Sequence, residues 1–365
     1  MLTFSPTEEQ EEIRQLAQSV AGEQFRQEAR RSEKAGNISS ALAQVLAQTG
    51  LTTPFSEDYG GQGDIEAVSY ALIAEELSFG DGSLAMNVLG SLIAPVTVAL
   101  AGSESQQRAW LPAFSNGETG HALRGSFAFA ERTGGYTLVD ISATARKDGD
   151  SYILNGTKRD VIHGGQSSLR IALFRIAGTS GLDGLCAFIL PEHTNGLHIS
   201  NDVQKLGLIA APSASYRFEN VAVPTSSLVG EPGNDGIKRV AALYEILRAG
   251  VACGMARAAL EYARDYASGR IAFGRPIAAY QGIAFMVAEM AMKLDAARLL
   301  VWQSAINWDR SAEIASLVRD AEAAQKQALK IAKSATIDAI QVLGGAGYLQ
   351  DHPVEMCTRN AAAME

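Results

Sequence analysis

Cysteine is scarce. Cys186, Cys253 and Cys357 are the only three in 365 residues, and their separations suit neither a disulfide framework nor a structural zinc site, so they read as reduced, mostly buried thiols. Histidine is nearly as rare, and His121, His193, His198 and His352 show no metal-ligand spacing, so no metal is expected. Positive charge is also short: 31 Lys+Arg stand against 40 Asp+Glu, a net charge of -9, with no dense basic stretch. That balance argues against nucleic acid as a partner. The N-terminus lacks a basic patch followed by an apolar core, and the apolar runs fall short of the roughly 18 residues that suggest a membrane span. No membrane partner is expected, and the expected location is cytoplasmic. What remains is a globular composition, 47% hydrophobic and 19% charged. A chain of this length is expected to fold as two or three packed units, each burying its own apolar surface.

Residue patterning divides the chain into three. Residues 1–120 read as an N-terminal α-helical domain. Ser5-Pro6-Thr7-Glu8 supplies a helix start, and apolar residues recur at Ile13, Leu16, Val20 and Phe25. Further helices are expected over Ser40 to Thr49, Ile65 to Ser78, Ser83 to Leu100 and Ser105 to Phe114. From 121 to 232 the pattern shortens and alternates, with turns at Asp148-Gly149, Asn155-Gly156, Gly164-Gly165 and Asn195-Gly196. This predicts a middle β domain, a barrel or sandwich, with strands over Ser142 to Arg146, Ser151 to Leu154, Leu169 to Phe174, Leu185 to Leu190 and Ser215 to Phe218. Residues 233–365 return to long helical periodicity over Val240 to Ala267, Ile277 to Ala305 and Ile314 to Leu343, most of a four-helix bundle. The fold class is therefore multidomain α+β.

The most specific motifs lie in the third segment: Arg270-Ile271-Ala272-Phe273-Gly274-Arg275-Pro276, then Gln281, then Gln341-Val342-Leu343-Gly344-Gly345-Ala346-Gly347-Tyr348. A Gly-Gly-x-Gly turn at a helix end lets backbone amides approach a ligand, and an arginine beside a fixed aromatic suits a phosphate. Ordinary helix termination explains the same residues, with Gly344 and Gly345 as caps and Arg270 as a surface charge.

Taken together, the motifs resemble those of the acyl-CoA dehydrogenase family along the whole chain. Pro54 to Gly63, Ala74-Glu75-Glu76-Leu77, Asn155-Gly156-Thr157-Lys158, Lys205-Leu206-Gly207, Phe218 to Pro224, Pro353-Val354-Glu355 and Arg359 stand in the family's order. The resemblance implies an FAD enzyme that dehydrogenates the Cα–Cβ bond of an acyl-CoA or acyl-carrier thioester. It also implies a dimer or homo-tetramer, and an electron-transferring flavoprotein as acceptor. The adenosine end of FAD would lie on Arg270, Phe273, Gln281, Gln341, Gly344 and Gly345 of a neighbouring subunit. The flavin ring would lie near Phe129, Val161 and Ile162.

Several ring-side positions depart from the family. Ala130-Glu131-Arg132-Thr133-Gly134-Gly135 lacks an expected hydroxyl. The aromatic and hydroxyl positions after Lys158 fall on Asp160, which cannot stack, and Ile162, which cannot donate. The usual glutamate base follows the last arginine by nine residues, but the chain runs only six past Arg359. This implies a shortened C-terminus or an absent base. Glu245 is the nearest substitute carboxylate, one residue off the alternative family position at Tyr244; pairing with Arg248 or Arg239 is its other reading. His163 falls near the expected ring, as a hydrogen-bonding group or as a plain loop histidine. Adenosine-side motifs kept beside altered ring-side positions also fit a non-catalytic subunit in a heterotetramer with a paralogue, or a flavin-free scaffold.

Overall fold

The computed structural model describes residues 5–131, 137–201 and 204–364. The segment Arg132 to Gly135 and the terminal Glu365 lie outside those residues.

The first helix, α1 (Glu8–Val20), begins at Thr7. Its hydroxyl accepts from Gln10 N at 3.2 Å, and the Gln10 side chain accepts from Thr7 N at 3.0 Å. The cap is thus Thr7 with Gln10, a capping box two residues beyond Ser5. A π-helical turn leads into α2 (Arg26–Ala35), followed by α3 (Ser40–Gln48), α4 (Ala67–Gly80), α5 (Gly82–Ala101) and α6 (Glu104–Phe114). The α5 helix corrects the expectation about apolar runs, since its 20 residues are long and apolar enough to cross a membrane. Most of it is buried among its neighbours, as in a core helix.

The middle of the chain is one sheet. Its strands are β1 (Gly125–Ala128), β2 (Thr144–Asp148), β3 (Ser151–Ile162), β4 (Leu169–Ile176), β5 (Leu185–Leu190), β6 (Leu197–Ser200), β7 (Ser213–Pro224) and β8 (Leu228–Val229). The strand order is β6-β7-β3-β2-β4-β5-β8, with β1 added parallel to β4. Inward alternation gives the sheet its own aromatic core, in which Tyr152 lies 5.0 Å from Phe188 and Phe174 4.9 Å from Phe218. The register slips between Lys158 and Val161, and Asp160 takes φ +52° there, so the bulge turns its side chain outward.

Three long helices follow: α7 (Asp235–Gly269), α8 (Gln281–Asp309) and α9 (Ile314–Leu343), with the shorter α10 (Val354–Ala362) as the fourth. They do not bury a core of their own. One apolar cluster runs from Phe25, Leu77 and Ile93 to Leu243, Val301 and Leu329, so the two helical segments share their interior. The expectation of one core per segment fails here, because α4 packs against both α7 and α8.

Two sequence motifs have packing roles. Glu75 and Glu76 of α4 meet Arg298 of α8 at 2.8 Å, Arg257 of α7 at 3.2 and 2.5 Å, and Arg14 of α1 at 3.1 Å. Arg359 of α10 bonds Glu33 of α2 at 2.5 Å and the Leu206 carbonyl at 2.6 Å, while Leu208 N donates to Asn360 at 2.8 Å. Any Cβ at Gly207 would overlap the Arg359 carbonyl, so Lys205-Leu206-Gly207 is where α10 lies down on the β domain.

Candidate active site

A cavity of about 80 Å³ opens where the end of β3, the residues after β1, α5 and α7 converge. Phe127, Phe129 and Tyr244 form its aromatic wall, with Tyr244 edge-on to both phenyl rings at 5.8 and 6.4 Å. Met86 comes from α5 and Ile162 from the end of β3, while Asp160, Arg159 and Lys205 bring charge. Tyr244 and Arg248 are four residues apart on α7, so both face the cavity. Burial pushes the Tyr244 hydroxyl above its ordinary value.

Phe129 and Ile162, both named from the sequence, do line this cavity. Ile162 packs into the notch left by Gly90 of α5, whose Cβ would come within 2.9 Å of it. Val161 is placed differently: strand alternation turns its side chain into the β-domain core, and it is not among the residues lining the cavity. Behind the wall, Glu131 and Lys158 form a buried ion pair at 2.6 Å. Glu131 also accepts from Ser142 N at 2.7 Å and Ala143 N at 3.1 Å, while Lys158 donates to the Phe129 carbonyl at 3.2 Å. Burial pulls the Lys158 ammonium down to about 8, against the opposing attraction of Glu131. This pair holds the Phe129 segment in place.

Glu245 is placed differently from its expected role as base. One position around the helix from Tyr244, it is absent from the cavity lining, and its carboxylate pairs with Arg248 at 3.1 Å. Burial raises its pKa, opposed by Arg248. Arg248 in turn donates to the Met364 carbonyl at 2.7 Å. Asp160 is the one carboxylate lining the cavity among the described residues. Sequence reasoning gave no site role to Phe127, and it named Tyr244 only as a family position for the base and Arg248 only as a partner for Glu245, the pairing found here. The legible signals were the Phe127-x-Phe129 alternation and the four-residue spacing on α7.

His163 is a buried joint. Its Nε2–H donates to the Asn87 carbonyl at 2.8 Å, and its Nδ1 accepts from Gln166 at 3.2 Å, a tautomer assigned from its partners. Asn87 continues to the Ala210 carbonyl at 2.6 Å.

The other candidate residues lie far out on the helical domain. Arg270, Phe273, Gln281, Gln341, Gly344 and Gly345 are all exposed, and Phe273 is 97% accessible. Phe273 is held at φ +51° beside Gly274, in a hairpin of Ile271–Ala272 with Arg275–Pro276 that Tyr280 braces through the Ala272 carbonyl at 3.0 Å. Gly344 takes φ +60° and ψ -133° at the end of α9 and leaves its surroundings open to an approaching ligand. An aromatic held almost wholly in water beside an arginine and an open glycine turn fits a ligand shared with another subunit.

Family models agree with this arrangement piece by piece. The acyl-CoA dehydrogenase N-terminal, middle and C-terminal domains match residues 7–118, 126–221 and 234–365. The chain belongs to the acyl-CoA dehydrogenase family. An acyl-CoA dehydrogenase of Bacillus subtilis is 34% identical over 362 residues, covering 97% of this chain and 93% of that relative. The human mitochondrial short-chain specific acyl-CoA dehydrogenase is 34% identical over 332 residues, covering 88% and 78%. Among solved structures, butyryl-CoA dehydrogenase from Megasphaera elsdenii superposes with a TM-score of 0.85 at 28% identity, covering 100% of this chain and 95% of that one. Family membership accounts for the order of helical, sheet and helical parts.

Proposed function

We propose that this chain is an FAD-dependent oxidoreductase acting on the Cα–Cβ bond of an acyl-CoA thioester, working as a homo-oligomer. The observation that carries the reading is the division of one set of cofactor-type residues between two places. An aromatic cavity lies at the domain junction, and an exposed Arg270/Phe273/Gln281 and Gln341/Gly344/Gly345 surface lies on the helical domain. Bound FAD supplies the redox chemistry. The exposed residues would hold its adenosine and pyrophosphate end, with Arg270 as the charge partner. Phe129, Ile162 and Tyr244 would wall the ring side and keep water out. Phe285, Met292 and Leu299 recur every seven residues along one face of α8 and are exposed, which supports a second copy as the cover. An electron-transferring flavoprotein is the acceptor that the family resemblance implies, and the cytoplasm remains the proposed location.

Flavin absorbance of the purified chain, with anaerobic bleaching by a series of acyl-CoAs, tests this reading. Stoichiometric flavin that bleaches supports it, and Arg270→Ala should weaken FAD retention tenfold or more. Altered ring-side positions favour a second reading, the non-catalytic subunit. In that case colourless protein acquires flavin only when produced together with a paralogue.

We assign Glu245 to positioning: its carboxylate holds Arg248, which reaches both the cavity and the Met364 carbonyl. Glu245→Gln should lower the melting temperature while reducing kcat less than tenfold, with an unchanged pH profile. A fall of ~10²-fold or more, the ordinary range for losing an acid–base group, returns Glu245 to the role of base.

A further inference from the structure

On the opposite flank of α5 from Met86 lies a second pocket that the flavin reading does not use. It is a cavity of about 60 Å³ between α3, α5 and residues 114–124. Leu46, Val88, Leu92, Pro95 and Phe114 supply its apolar wall, Thr52, Asn87 and Ser91 add neutral polar groups, and His121 and Arg124 stand at one end. Apolar walls with a few convergent polar groups are the usual make-up of a small-molecule site.

The polar end is incomplete. Arg124 is partly buried, and its Nη1 donates to the His121 and Leu123 carbonyls at 2.7 and 2.8 Å. No carboxylate pairs with it among the described residues, and burial lowers its pKa without an opposing negative group. His121 Nδ1 is shielded from solvent and has no hydrogen-bond partner among the described residues. A half-buried cation without a counter-charge among the described residues, beside an unpaired ring nitrogen, costs stability that an anionic ligand would restore.

We propose that this pocket is a binding site for a small monocarboxylate with a short alkyl chain. The single uncompensated guanidinium calls for one negative charge. The walls call for a hydrocarbon, and the volume admits a few heavy atoms and excludes a long chain. Such a ligand bridges α3, α5 and the segment before β1, so its occupancy stiffens the same side of α5 that carries Asn87, the partner of His163. The site is independent of the flavin reading.

Calorimetric titration of the FAD-loaded protein with sodium butyrate at constant ionic strength tests the proposal. One-site saturable binding is expected, together with a melting temperature that rises with butyrate and no saturation by butan-1-ol. Arg124→Gln should weaken binding tenfold or more. Ala47→Phe, which fills the pocket from α3 and leaves Arg124 in place, should do the same, and it decides the matter if the arginine variant does not fold. Absence of saturable butyrate binding to the wild-type protein overturns the proposal, as does binding that survives either substitution in folded protein. Survival in Ala47→Phe would place the carboxylate elsewhere, in the flavin cavity for example.

Discussion

Replacing Glu75 by Ala is expected to cost about 3–5 kcal/mol, the usual range for breaking a buried ion pair from one side. Glu75 is buried on α4 and receives Arg298 from α8 through Nη2 at 2.8 Å and Nε at 3.0 Å, with Arg257 from α7 at 3.2 Å. Its neighbour Glu76 takes the rest of Arg257 and Arg14. The guanidinium of Arg257 also lies 4.2 Å from the centre of the Phe79 ring, so it cannot swing into water without losing that contact. Without Glu75, Arg298 loses its buried partner between two helical segments that share one core. Each kcal/mol corresponds to roughly 1–2 °C in a protein of this size, so the melting temperature should fall by about 5 °C. Circular dichroism melts of Glu75→Ala, Arg298→Ala and the double variant would measure the coupling. A single-variant loss below about 1 kcal/mol, with additive effects, would mean that the cluster is a solvated pair of little consequence.

Acidification should destabilise the protein through His163. The ring is wholly buried and both nitrogens are engaged, so burial pulls its pKa from 6.5 down to about 4, against the attraction of the Asn87 carbonyl and with a further push from Arg124. The folded state therefore needs the neutral ring. Its stabilising contribution is complete above pH 6.5 and is lost progressively as the pH falls toward 4, where the folded protein also takes up the proton. The 2.5-unit difference corresponds to about 3 kcal/mol across that interval. Asp81 works in the opposite sense, because burial raises its carboxyl to about 6 and protonation there favours the fold. Urea midpoints from pH 7.5 to 4.5 would show the net effect, and His163→Gln, which cannot titrate, isolates the histidine. The variant's curve should be flatter than the wild type's by about 3 kcal/mol between those limits. Parallel curves would show that His163 gains a proton without strain.

Local order was legible along the chain because each element declares its own period. The helix Ile314–Leu343 and the strand Leu185–Leu190 occur at the residues expected from periodicity alone. Others lengthened where pairing continued past the alternating stretch. Ser151 to Leu154 grew to Ser151–Ile162 because β7 offers a partner along that whole length. The site divided along the same line. Arg270, Phe273, Gln281 and Gly344 entered through the resemblance, on motifs with short-range spacing, and the structure leaves all four exposed. That Tyr244 and Arg248 line the cavity was not legible, because it depends on which face of a 35-residue helix meets the sheet. Val161 and Glu245 each stand one step of strand or helix from a residue that lines the cavity, which turns their side chains elsewhere.

The sequence by itself determined the order of helical, sheet and helical segments, which rests on local periodicity, and its motifs taken in order carried the resemblance to the family. Only the tertiary structure decided that the two helical segments share one interior. It also decided that Glu245 is held in an ion pair, and that Arg124 faces a pocket with no counter-charge among the described residues. Each of those depends on contacts between residues far apart in the chain, brought together by burying apolar faces that carry no label of their partners.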